Sequence, residues 1–126
     1  MKFSREELKA IYKVGKSMMI ADGEFAQEEL MVIFHELCRF GVRDEYSATL
    51  LEQEAIEMEF DKAFAIISRM DKKQKKYIAA YLGLIMASDG IIDERETMLW
   101  GYVSQICNLP EMSIEEALIY MRDFNA

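Results

Sequence analysis

Thirteen residues of this chain return, in altered form, 67 positions later. The segments MIADGEFAQEELM (19–31) and MASDGIIDERETM (86–98) share Met19/Met86, Asp22/Asp89, Gly23/Gly90, Glu29/Glu96 and Met31/Met98, and Phe25 stands opposite Ile92. Each copy reads as a small residue, Asp, Gly, any residue, a large apolar residue, three more residues and Glu. Each also lies between an apolar helix-patterned stretch and its successor. Asp-Gly ends a helix readily, because glycine takes a positive φ without a steric penalty. A chain of 126 residues holding two such units is expected to fold as two similar halves, related by an approximate two-fold that brings both turns to comparable positions.

The rest of the pattern is helical. Ser4 with Glu7 forms a capping box, and Leu8, Ile11, Gly15 and Met18 share one face of a helix over about 5–20. A second helix presents Leu30, Ile33, Phe34, Leu37 and Cys38 inward and stops at Gly41. Asp44 caps a third, with Ala48, Leu51, Ala55 and Met58 facing in. Asp61 opens a short fourth carrying Phe64, Ile67 and Met70. Asp71 caps a fifth, whose stretch YIAAYLGLIMA is apolar on nearly every side and therefore belongs at the centre of a bundle. Asp93 with Glu96 opens a sixth, with Leu99, Tyr102, Val103 and Ile106 inward, and Leu109-Pro110 breaks it. Ser113 with Glu116 opens the last, with Ile114, Leu118 and Met121 inward. No stretch alternates with period two, so the expected fold is all-α: a compact bundle of about seven helices in one domain spanning 1–126.

Composition agrees and excludes some functions. One proline and six glycines, with 52% hydrophobic residues, suit a packed helical interior. The net charge of −8 repels phosphates and removes the counterion-release term that drives nucleic-acid binding. It suits a cation, a basic partner, or solubility alone. Two cysteines and an N-terminus without an apolar signal core point to a reduced, cytoplasmic protein. The longest apolar stretch, 77–87, is about half of a membrane span.

The doubled A-D-G-x-φ-x-x-x-E pattern, where φ is a large apolar residue, resembles the tellurite-resistance TerB-like family. That family includes the amino-terminal domains of membrane-anchored J-domain co-chaperones. The resemblance covers nearly the whole chain, with its motif content concentrated at 21–29 and 88–96. It implies a compact helical fold with pseudo-symmetric halves, an acidic cluster suspected of holding a metal ion, and association with bacterial responses to tellurite, phage and other stresses. Ser88 replaces the usual alanine, and Ala26 stands where a capping residue is usual. With no J-domain and no anchor in these residues, the co-chaperone role does not carry over.

Two readings of the acidic motif stay open. In one, Asp22, Glu29, Asp89 and Glu96 are oxygen ligands of a divalent cation, with Ca²⁺ or Mg²⁺ favoured because hard cations prefer carboxylates. In the other they are turn and cap residues, Glu96 opposite Asp93 and Glu29 at the equivalent position. The aspartates fit the second reading less well, since a carboxylate just past a helix C-terminus meets the negative end of the macrodipole. An EF-hand is excluded: its earlier ligand positions would fall on Met18 and Ile20, and on Ile85 and Ala87.

Weaker signals complete the reading. His35 and Cys38 share a helix face, but without an orienting partner they suggest a buried thiol beside a half-exposed histidine. The ten methionines fall mostly on inner faces, as core. Lys72, Lys73, Lys75 and Lys76 form the one dense basic run, in a first helical turn where positive charge is mildly unfavourable, and so are candidates for contact with an acidic partner or an anionic lipid surface. The acid-rich segment Glu52 to Asp61 could pair with them, within or between chains. The expected function is that of a non-enzymatic, stress-associated module binding a divalent cation or a protein partner through its acidic face. The competing readings are a metal-assisted hydrolase using the paired carboxylates, and a scaffolding homodimer.

Overall fold

The computed structural model describes residues 1–21, 27–88, 90 and 92–125. Among them are seven α-helices and no strand: α1 (Arg5–Ile20), α2 (Gln27–Arg39), α3 (Glu45–Glu57), α4 (Phe60–Ser68), α5 (Lys72–Ala87), α6 (Glu94–Ile106) and α7 (Ile114–Asn125). The all-α bundle read from the repeat is the fold observed. None of these helices is long and apolar enough to cross a membrane.

The repeat reaches well beyond the Asp-Gly segments. Both ends of α5 and of α6 lie 67 residues after the matching ends of α1 and α2. The caps follow the same offset. Ser4 and Glu7 exchange hydrogen bonds of 3.1 and 2.8 Å, and Asp71 and Gln74 do the same at 2.8 and 3.1 Å. Both second helices end in a Schellman motif. The Val42 N–H reaches Leu37 O at 3.0 Å past Gly41 at φ +100°, and the Leu109 N–H reaches Ser104 O at 2.8 Å past Asn108 at φ 55°. Gly41 and Asn108 are themselves 67 residues apart, each serving the left-handed position that closes the motif. α3 and α4 lie between the two sets.

The core centres on α1 and α5. α5 packs most extensively on α7, α1 on α4 and α3, and α1 and α5 on each other. Along α5, Tyr77, Ile78, Ala79, Ala80, Tyr81, Leu82, Ile85 and Met86 are all buried, as expected of a helix apolar on nearly every side. Where α1 meets α5, Gly15 gives way to Tyr81; a Cβ there would stand 2.6 Å from the tyrosine hydroxyl oxygen.

Four expectations about faces and starts are corrected. α6 buries Trp100 and Val103, and its C-cap Cys107, while Tyr102 and Ile106 are exposed; the large indole takes the inner face and its N–H donates to Ala79 O at 3.2 Å. On α2 Cys38 is exposed, because the inner stripe runs through Ile33, Glu36 and Leu37. α7 buries Ala117 and Met121 and exposes Leu118, since only a small residue fits against Gly83. α4 begins at Phe60 after an extended Glu59, with Asp61 in its first turn rather than at its cap.

Candidate functional site

Glu29 and Glu96 occupy the third positions of α2 and α6, and both are 0% exposed. Their acidic neighbours Glu28 and Glu94, one and two residues away, face solvent. Burial of a carboxylate is costly unless charge or hydrogen bonds compensate for lost water. The partial positive charge of a helix N-terminus supplies part of that compensation in each half. At α6, the carboxylate of Asp93 accepts the Arg95 N–H at 2.7 Å and the Arg95 Nε–H at 3.2 Å. These contacts hold the Asp93 carboxyl below its ordinary range, the Arg95 side chain contributing first and its backbone N–H next. Capping at this helix therefore falls to Asp93, and Glu96 points inward.

Asp22 and Asp89, the other two members of the expected ligand set, lie outside the described residues. Among the described residues no three or more His, Cys, Asp or Glu side chains gather in a way that could hold a metal ion. A four-carboxylate site thus requires the two aspartates as well as the two buried glutamates. The donors would all be oxygen, which fits Ca²⁺ or Mg²⁺ and not the softer metals that favour thiolate or imidazole.

A second buried carboxylate centre was not foreseen. Glu36 is 3% exposed, and its Oε1 accepts the Tyr77 hydroxyl at 2.5 Å and the Arg39 Nε–H at 3.2 Å. Its Oε2 lies 3.0 Å from His35 Nδ1. Burial, and then the charge and hydrogen bond of Glu36, hold the Tyr77 hydroxyl far above the ordinary phenol range. Tyr77 stacks on Tyr81 with ring centroids 5.9 Å apart, and the Arg39 guanidinium lies 4.9 Å over Phe124. The cluster ties α2, α5 and α7 together. Its sequence signal was Glu36 itself, one residue before Leu37 and three after Ile33, on a stripe otherwise apolar. His35 is mostly exposed and faces Glu36, and Cys38 is exposed, so the expectation of a buried thiol is corrected.

Of the basic run, Lys72, Lys73 and Lys76 are exposed and Lys75 is half-buried, all in the first turns of α5. Lys76 Nζ lies 5.6 Å over the Tyr120 ring on α7. The acid-rich segment turns elsewhere. Glu54 binds Arg5 at 2.9 Å and Lys9 at 3.2 Å, Glu52 stands 4.0 Å from Lys16, and the Tyr12 hydroxyl donates to Glu52. α3 therefore answers the charges of α1, its neighbour in the fold.

No family model and no curated protein matches the chain. A solved structure does: the "Crystal Structure of Protein of Unknown Function PG1108 from Porphyromonas gingivalis W83" is similar at 45% identity, with 98% of each chain covered and a TM-score of 0.84.

Proposed function

We propose a cation-binding role for this chain, which belongs to the same family as the Porphyromonas gingivalis protein. In this reading it is a non-enzymatic, cytoplasmic, TerB-like module that takes up a divalent cation, Ca²⁺ or Mg²⁺ favoured, through its acidic motif. Glu29 and Glu96 supply buried carboxylates, and Asp22 and Asp89 supply the other two. The observation that carries it is the complete burial of both glutamates at matching positions of the two halves. Two carboxylates withdrawn from water at equivalent points suit a shared positive charge better than solubility, which needs charge only at the surface. The role in stress response rests on the family resemblance of the motif.

Calorimetric titration of Ca²⁺, Mg²⁺, Mn²⁺ and Zn²⁺ into the metal-free protein tests this. Saturable binding that is lost in both Asp22→Asn/Asp89→Asn and Glu29→Gln/Glu96→Gln, with helicity retained, is the expected result. No heat and no rise in thermal midpoint with any of the four ions would return the motif to turns and caps. A second reading, contact with an acidic protein partner, is favoured by the exposure of Lys72, Lys73 and Lys76 in one helical turn, with Lys75 beside them. Charge reversal at those positions, leaving cation binding unchanged, separates the two.

A further inference from the structure

The offset that relates the helices also relates two clefts. One lies between α2 and α3 and has a volume of about 420 Å³; the other lies between α6 and α7 and has about 950 Å³. Their linings match at Phe34/Gly101, Cys38/Gln105, Val42/Leu109 and Asp44/Glu111, each pair 67 residues apart. α3 packs on α1 as α7 packs on α5, so the clefts hold equivalent places in the two halves.

The residues explain why one cleft is larger. In the first, the Phe34 ring is half-buried and packs against the core. Gly101 has no side chain, and a Cβ there would meet nothing within 4 Å. Seven residues (107–113) join α6 to α7, against five (40–44) between α2 and α3. The polar groups differ as well. In the first cleft Asp44 accepts the Ser47 N–H at 2.7 Å, the Arg43 Nε–H donates to Cys38 O at 3.2 Å, and Glu52 accepts the Tyr12 hydroxyl. In the second, the side chains of Ser104, Gln105, Asn108 and Glu111 have no partner among the described residues. Trp100 and Leu109, both nearly buried, form its floor, and its charged lining residues, Glu111 and Glu116, are both acidic.

We propose that the α6–α7 cleft binds a basic segment of another protein, which inserts an aromatic side chain at Gly101. In the sister half a phenylalanine of the chain itself takes this place, and that ring is what the larger cleft lacks. A ring set against Trp100 and Leu109 recovers the contacts that an empty space forfeits. Two carboxylates with no lysine or arginine beside them in the lining set the sign of the incoming charge. The unengaged hydroxyl and amide groups offer both donors and acceptors to a peptide backbone. The volume stands near the top of the roughly 300–1,000 Å³ range of binding sites, which leaves room for residues flanking the ring. The Asp-Gly motif takes no part, so the inference is independent of cation binding.

Trp100 is the one tryptophan of the chain, and its fluorescence reports on the floor of the cleft. The probe is a capped pentapeptide with phenylalanine at its centre and lysine on either side, titrated at low salt. The expected result is a saturable change with half-saturation at or below about 1 mM. Gly101→Phe, which gives this half the residue of its sister, should abolish the change with far-UV circular dichroism unaltered. Glu111→Gln/Glu116→Gln should weaken binding about fivefold or more. Glutamine at 116 keeps the capping bonds with Ser113. Peptides with alanine for phenylalanine, or glutamate for lysine, should bind at least about tenfold more weakly, and they decide the question if Gly101→Phe does not fold. No saturable change up to about 10 mM overturns the proposal. So does undiminished binding by Gly101→Phe, or an alanine or glutamate peptide as tight as the parent. Equal affinity for free 2-phenylethylamine would assign the cleft to a small amine and overturn it too.

Discussion

Gly83 on α5 lies so close to Ala117 on α7 that a Cβ at the glycine would stand 2.8 Å from the alanine Cβ and 3.1 Å from Trp100 Cζ2. Two small residues thus set how near the central helix comes to the last one. Gly83→Ala should destabilise the fold by about 1–3 kcal/mol in urea unfolding, since neither backbone nor indole can retreat cheaply. Gly101, inside α6 with nothing within 4 Å, is the control. There alanine should be neutral or stabilise by up to about 1 kcal/mol through helix propensity alone.

The hydroxyl of Tyr77 donates to the buried carboxylate of Glu36. Tyr77→Phe removes one partner of a charge-assisted hydrogen bond and leaves Glu36 to Arg39 and His35. The expected loss is about 1–3 kcal/mol. His35→Ala should move stability far less, because that ring is 69% exposed. Equal losses in the two variants would show that the hydroxyl contributes no more than the surface imidazole.

The two thiols should differ sharply in reactivity. Cys38 is exposed, whereas Cys107 is buried with its Sγ 3.7 Å from Phe64 O, and burial pushes its thiol up to about 11. At about pH 8 a disulfide reagent should titrate one thiol in the native protein and two in guanidinium chloride. Prompt labelling of Cys107 in the native state would mean that α6 opens readily at its C-terminal end.

Acid should erode stability through exposed carboxylates. The Arg5 and Lys9 side chains hold Glu54 below its ordinary 4.5, and the Ser47 N–H and hydroxyl hold Asp44 below 3.8. Carboxyls lowered in the fold contribute stability that is full above their ordinary values and is lost as the pH falls through the lowered ones. Urea midpoints should thus be flat at and above about pH 5 and decline below about pH 4.5. Glu54→Gln and Asp44→Asn should each flatten the decline.

Periodicity and caps carried most of the fold. Ser4, Asp44, Asp71 and Ser113 each take the N–H they were expected to take, because capping is local and needs only residues three apart. Faces were harder wherever one residue could displace another. Trp100 outranked Tyr102 and Ile106 by size, and Ala117 displaced Leu118 because α5 comes too close for more than a methyl group. Within the site, the repeat singled out Glu29 and Glu96, but their burial was not legible, since a glutamate at a helix start ordinarily faces water. Glu36 was passed over for the same reason. Its partner Tyr77 lies 41 residues away, beyond the reach of any local pattern.

The common offset of α1–α2 and α5–α6 makes the stretch that carries α3 and α4 a connection between like units. Two like units joined in one chain are a pair whose meeting no longer depends on dilution, and α4 lies on the tether that holds them at high effective concentration. Tethering also frees the units to differ, as separate identical subunits cannot. Across the 67-residue offset Ile33 answers to Trp100, Val14 to Tyr81, and Phe34 to Gly101.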